Sequence, residues 1–111
     1  VRALRRFPVV PRHVSLEIDY LRPELAEAAL HELCELGYAR FAIVAQDPPH
    51  APLRRDAPQH EGSPCDHVFE YGASGPFGGD VAGPWLGADD VRERFARDIG
   101  SMIWHDLHAS R

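Results

Sequence analysis

The side chains with chemical potential fall into four groups. Glu17 and Asp19 close a short alternating run, and open α/β sheets commonly meet their ligands at the carboxyl ends of strands; the plainer alternative is a pair of solvated strand-end charges. His105, Asp106 and His108 have spacings that a metal site could use, and His60, Cys65 and His67 could add ligands. Against this, two histidines and an aspartate near a terminus are more often surface or hydrogen-bonding residues, and no close signature such as HExxH accompanies them. Gly72, Gly75 and Gly78 imitate a phosphate cradle, but such a motif opens directly into a helix, and Pro84 and Gly87 argue against one. Trp85 and Trp104 are able to stack on a sugar or other ring, whereas tryptophan in a small domain more often fills core volume.

Elements must hold these groups in place, and the most distinctive stretch is residues 69–85 (FEYGASGPFGGDVAGPW), where a strand-like run breaks into a glycine-dense loop. Glycine frees the backbone for close-approach conformations, Pro76 and Pro84 stiffen it, and Phe77 and Trp85 can anchor it apolarly. Ordered loops of this kind carry binding residues on many scaffolds.

Upstream, residues 13–19 (HVSLEID) alternate Val14, Leu16 and Ile18 with Ser15, Glu17 and Asp19, the period of a strand with one polar face. Pro23 suits a first helical turn, Leu25, Ala29, Leu33 and Leu36 follow at near-helical spacing, and Gly37 supplies a C-cap. Residues 38–46 (YARFAIVAQ) read as a buried strand, completing a strand, helix, strand unit for which a right-handed crossover to a parallel neighbour is expected. Residues 47–66 are rich in proline and read as a long exposed connection. Residues 67–71 (HVFEY) read as a short strand. Asp89 or Asp90 starts a second helix with Val91, Phe95 and Ile99 along one side and a capping box from Asp90 to Glu93. Gly100 ends it, leaving residues 104–108 as a polar-aromatic terminus. The opening VRALRRF reads as the tail of a longer helix stopped by Pro8 and Pro11, so that its beginning is expected upstream.

Composition narrows the function classes. A chain of 111 residues with 44% hydrophobic and 26% charged residues fits one small globular domain. Its formal net charge of -5 disfavours a phosphate-backbone partner, despite Arg2, Arg5, Arg6 and Arg12 near the start, so no nucleic-acid partner is expected. No membrane span or signal peptide is visible, and Cys34 and Cys65 read as free thiols; a cytoplasmic location is expected.

Several stretches resemble the C-terminal half of the FkbM-like family of S-adenosylmethionine-dependent methyltransferases: VSLEID (14–19), LCELGYARFAIVAQ (33–46), GASGPFGGD (72–80) with GPWL (83–86), and WHDLHA (104–109). SGPFG followed by a tryptophan is the most specific of these. Ala73 and Ala45 depart from the family pattern, standing where serine and asparagine are common.

The resemblance implies an α/β fold, the C-terminal part of a Rossmann-like class I methyltransferase sheet, with two parallel strands joined by a crossover helix, HVFEY as an antiparallel edge strand, and a C-terminal helix. It also implies that residues 1–111 form the later portion of one methyltransferase domain, whose cofactor-binding half lies upstream and is its partner. The implied function is O-methylation of a hydroxyl on a sugar or small natural product, with S-adenosylmethionine as cofactor in the full-length protein. Candidate bases are Glu17, Asp106 and His108, and candidate acceptor-binding residues are Gln46, Ser74, Gly75, Pro76, Phe77, Gly78, Trp85 and Trp104. No residue of this chain is assigned to the cofactor. A non-catalytic carbohydrate-binding or interaction module built on Trp85, Trp104 and the rigid loop is the rival reading, and a small metal-binding domain is a second.

Overall fold

A computed structural model describes residues 2–46, 75–81, 83–100 and 104–111. A 3₁₀ helix over Arg2–Arg6 leads into strand β1 (His13–Ile18), helix α1 (Pro23–Glu35) and strand β2 (Arg40–Ala45). A 3₁₀ turn at Gly78–Asp80 precedes helix α2 (Ala88–Asp98), and strand β3 (His105–Ser110) comes last.

The local signals that build α1 and β1 act as their residues suggest. Pro23 occupies the first turn of α1, where its missing N–H has no intrahelical acceptor to lose, and the turn after Glu35 closes through Gly37 at φ +87°. The buried stripe of α1 runs through Ala26, Leu30 and Leu33, so Leu25, expected on that stripe, is instead 49% exposed. In α2 Val91 and Phe95 face the core as expected, while Ile99 lies past the helix end and is exposed. The helix begins at Ala88 and not at Asp89 or Asp90. Asp90 acts from inside the first turn, its carboxylate accepting the Gly87 N–H at 3.3 Å. At the start of the chain, Arg2–Arg6 form a 3₁₀ helix, and Arg5 reaches Glu32 of α1 at 2.9 Å.

The sheet corrects the expected topology. Its order is β1-β3-β2, and both outer strands pair antiparallel with β3. β1 and β2 therefore run in the same direction with α1 between them in sequence, but they are not neighbours. The parallel pair of the Rossmann-like arrangement is absent from this sheet, and the last element is its central strand where a polar-aromatic terminus was expected at residues 104–108; the helix expected before that terminus is present as α2. The reason lies in β3 itself. HDLHAS alternates only two apolar residues, Leu107 and Ala109, with polar ones, yet all six of its residues are buried. The edge strand assigned to residues 67–71 and the connection at residues 47–66 lie outside the described residues.

Leu107 and Ala109, fully buried, form the middle of the core layer together with Ile18, Phe41, Leu30, Leu33, Val91 and Phe95. Register places Leu16 and Ile43 on either side of Leu107, and Val14 and Phe41 on either side of Ala109. Directly paired residues share a sheet face, so this row pattern forms one apolar face against the two helices. Arg92 of α2 binds Glu27 of α1 at 2.9 Å and Asp89 at 2.9 Å, tying the helices together at the surface. Beyond β2, the segment around Leu86 adds one bridge, with mutual backbone hydrogen bonds to Phe41 of 2.9 and 2.6 Å. No helix among the described residues is long and apolar enough to cross a membrane.

Candidate functional site

The opposite face of the sheet is polar. The same register sets three rows across it: Glu17, Asp106 and Val44; Ser15, His108 and Ala42; His13, Ser110 and Arg40. All three candidate bases lie on this face. Asp106 and His108 are two residues apart on β3, and Glu17 stands directly across from Asp106 on β1. Cβ atoms of such directly opposed residues lie about 4.5–5.5 Å apart. Like charges in that position weaken a sheet, so the Glu17–Asp106 pairing is one that stability alone does not favour.

His108 is 2% exposed, and neither of its ring nitrogens has a hydrogen-bond partner. A buried polar group left unpaired costs free energy that packing elsewhere must offset. Burial lowers its pKa below the ordinary histidine value, because charge is disfavoured away from water, and the nearby Asp106 charge opposes that shift. The imidazole is thus held in its neutral form with lone-pair capacity intact, beside a carboxylate able to stabilise the imidazolium that forms on proton uptake.

Phe77 lies against this part of the face. Its ring centroid lies 6.0 Å from that of His108 and 6.3 Å from that of His13, the second contact edge-on, and Phe77 itself is 49% exposed. The turn at Gly78–Asp80 packs against β3, and Gly78 is buried there at φ +65°, a conformation that costs glycine little. Gly75 likewise has φ +76°, and Pro76 lies half-buried between it and Phe77.

The remaining expected acceptor-binding residues are dispersed. Trp85 is half-buried with the Arg40 guanidinium 5.1 Å from its ring centroid, so one face of the indole already meets a cation. Gln46 and Trp104 meet at the far end of the sheet, where the Gln46 N–H donates to the Trp104 carbonyl at 2.7 Å. Trp104 is 63% exposed there. Ser74 lies outside the described residues. The histidine-aspartate-histidine run does not converge, because strand alternation sends His105 to the helix-covered face, with its ring 5.3 Å from that of Tyr20, and the other two to the polar face. Among the described residues no group of three or more histidine, cysteine, aspartate or glutamate side chains is placed to hold a metal ion.

Two members of the face were missed in the sequence, His13 and Arg40. Alternation through β1 carries His13 to the same side as Ser15 and Glu17, so that signal was present. Arg40 could be found only once β2 was paired with β3.

No protein-family model matches this chain, and no curated protein or solved structure is significantly similar to it.

Proposed function

We propose that this chain supplies the acceptor-binding and proton-accepting part of an S-adenosylmethionine-dependent methyltransferase acting on a hydroxyl of a sugar or other small molecule. Two things support the reading: the family resemblance of the SGPFG loop with its tryptophan, and the buried, unpartnered imidazole of His108. The imidazole carries it. A hydroxyl that becomes a methyl ether must lose its proton, and a neutral histidine within reach of that oxygen is suited to take it. Asp106 stabilises the resulting charge, and exposed Glu17 across from it offers a route for the proton to solvent. Phe77 contributes apolar contact and water exclusion above the imidazole.

The methyl donor would be S-adenosylmethionine, which supplies an electrophilic methyl carbon when bound. The described residues do not fit it. An adenosyl seat of the dinucleotide type needs a glycine-rich turn leading from a strand into a helix and an acidic residue for the ribose. The turn between β1 and α1 contains no glycine, and its acid, Asp19, is engaged by the Leu21 N–H at 3.0 Å and by Arg22 at 2.6 Å. In this reading the donor is held by an upstream half of the same domain, in a cytoplasmic, reducing compartment compatible with the free thiol of Cys34.

The test is transfer of labelled methyl from S-adenosylmethionine to a panel of sugars and hydroxylated small molecules by the product of the full reading frame. Transfer is expected, with kcat reduced roughly a hundredfold or more in His108→Ala and less in Asp106→Asn or Glu17→Gln. Calorimetry on the 111 residues alone is expected to show no micromolar binding of the donor. Absence of transfer by the full protein, or undiminished turnover in all three variants, would overturn the reading.

A further inference from the structure

We propose that Phe77 is a gate over His108, closed in this structure, and that its opening rather than any movement of the sheet admits an acceptor to the imidazole. The proposal deepens the functional reading above by naming what controls access to its base, and it is tested without reference to methyl transfer.

Burial and proposed role conflict at His108. His108 is 2% exposed, so no hydroxyl reaches its ring nitrogens as the molecule stands. Strand β3 cannot move to expose it, since it is the central strand, hydrogen-bonded on both sides to β1 and β2 and backed by Leu107 and Ala109 in the core. The cover must therefore move. The Phe77 ring lies tilted beside the imidazole, 6.0 Å between centroids, and is itself about half-exposed, which suits a lid better than a core residue.

The backbone around Phe77 suits that motion. Phe77 is extended, and glycines with positive φ stand on either side, Gly75 at +76° and Gly78 at +65°. Glycine crosses between backbone regions with the least steric cost, so these positions can absorb the dihedral change of an outward swing. Gly78 is buried against the sheet and anchors the far end, leaving the ring itself to move. In the closed state the edge-on contact with His13, which no functional reading of the sequence had used, gives Phe77 a second resting surface. His13 is thereby a positioning residue for the gate. Removing it should favour the open state without touching His108.

Diethyl pyrocarbonate modifies unprotonated, accessible imidazoles, and peptide mass spectrometry reads each histidine separately. Two internal references are built into the chain: exposed His31 on α1, and His105, buried on the opposite face of β3. At pH 7 the wild-type chain is expected to modify His108 at least tenfold more slowly than His31. Phe77→Ala should bring His108 to within a few fold of His31 while His105 stays protected, Phe77→Leu should give a smaller rise, and His13→Ala a rise of a few fold. An unchanged His108 rate in Phe77→Ala would overturn the proposal, because something other than this ring then covers the imidazole. A joint rise of His108 and His105 would overturn it as well, since the ring would then hold the sheet together and not gate one residue. Failure of methyl transfer with this labelling pattern intact would sink the reaction and leave the gate standing.

Discussion

Strand β3 buries two faces by different means. Toward the helices, Leu107 and Ala109 join Phe41, Ile18 and the stripes of α1 and α2 in an apolar layer, where burial is favourable in itself. On the other side Asp106, His108 and Ser110 are nearly as inaccessible; Phe77 lies beside the His108 ring, the turn at Gly78–Asp80 meets β3, and the imidazole has no hydrogen-bond partner. One face lowers the free energy of the fold. The other draws on that stability to keep an unpaired imidazole away from water, a cost more usual in sites than in scaffolds.

The sharpest way to probe this difference is to cut each face in turn. Leu107→Ala should lose about 2–5 kcal/mol, as deletions of fully buried leucine do, measured by urea unfolding. Ser15→Ala, on the polar face and exposed, should shift stability by no more than about 0.5 kcal/mol. Comparable losses at the two positions would mean that the faces are energetically alike.

A change of opposite sign is expected at the imidazole. Replacing an unpaired buried polar group by an apolar one of similar shape removes a desolvation cost, so His108→Leu should stabilise the fold by about 1–3 kcal/mol at pH 7. Stability gained together with loss of the proposed activity would mark His108 as retained for chemistry. A destabilised His108→Leu would show that the imidazole packs as a structural residue.

A pH-dependent effect belongs to the helix-covered face, where the buried hydroxyl of Tyr20 has no hydrogen-bond partner. Burial, with the Asp98 charge adding and Arg94 opposing, pushes its hydroxyl up to about 12. A folded pKa above the unfolded value of about 10 means that the native state holds its proton while the unfolded state releases it. The contribution is present below pH 10 and is lost as pH rises through about 12. Wild-type stability should fall across that window by more than that of Tyr20→Phe. Parallel curves for the two would contradict it.

How much of this could be read from the chain depends on what each signal encodes. β1, α1 and β2 carry their periodicity in Val14, Leu16 and Ile18, in Leu33 and its near-helical neighbours, and in Phe41 and Ile43, and local pattern is enough to find them, though not to place the buried stripe of α1 on Ala26 and Leu30. The central strand was illegible because its polar positions, Asp106, His108 and Ser110, are buried although nothing in their own chemistry calls for burial. A helix between two strands also favours a parallel pair as the first guess, and no local residue announces that a later strand will insert between them. For the site, Glu17, Asp106 and His108 could be named as candidates, but their convergence on one face follows from register, which sequence alone did not supply. Phe77 was legible as a loop anchor, and its contact with His13 was not.

Burial on the polar face keeps the His108 imidazole neutral. Heteronuclear NMR titration of its imidazole in the folded chain tests this directly. The imidazole is expected to titrate below the ordinary value of 6.5, its pKa rising toward that value in Phe77→Ala as water reaches the ring. With the folded pKa depressed, stability is fully present above 6.5 and declines as pH falls through the lower folded value. A wild-type pKa at or above 6.5 would contradict the account, because His108 would then be solvated or paired with Asp106 as a cation and could not serve as the protected base.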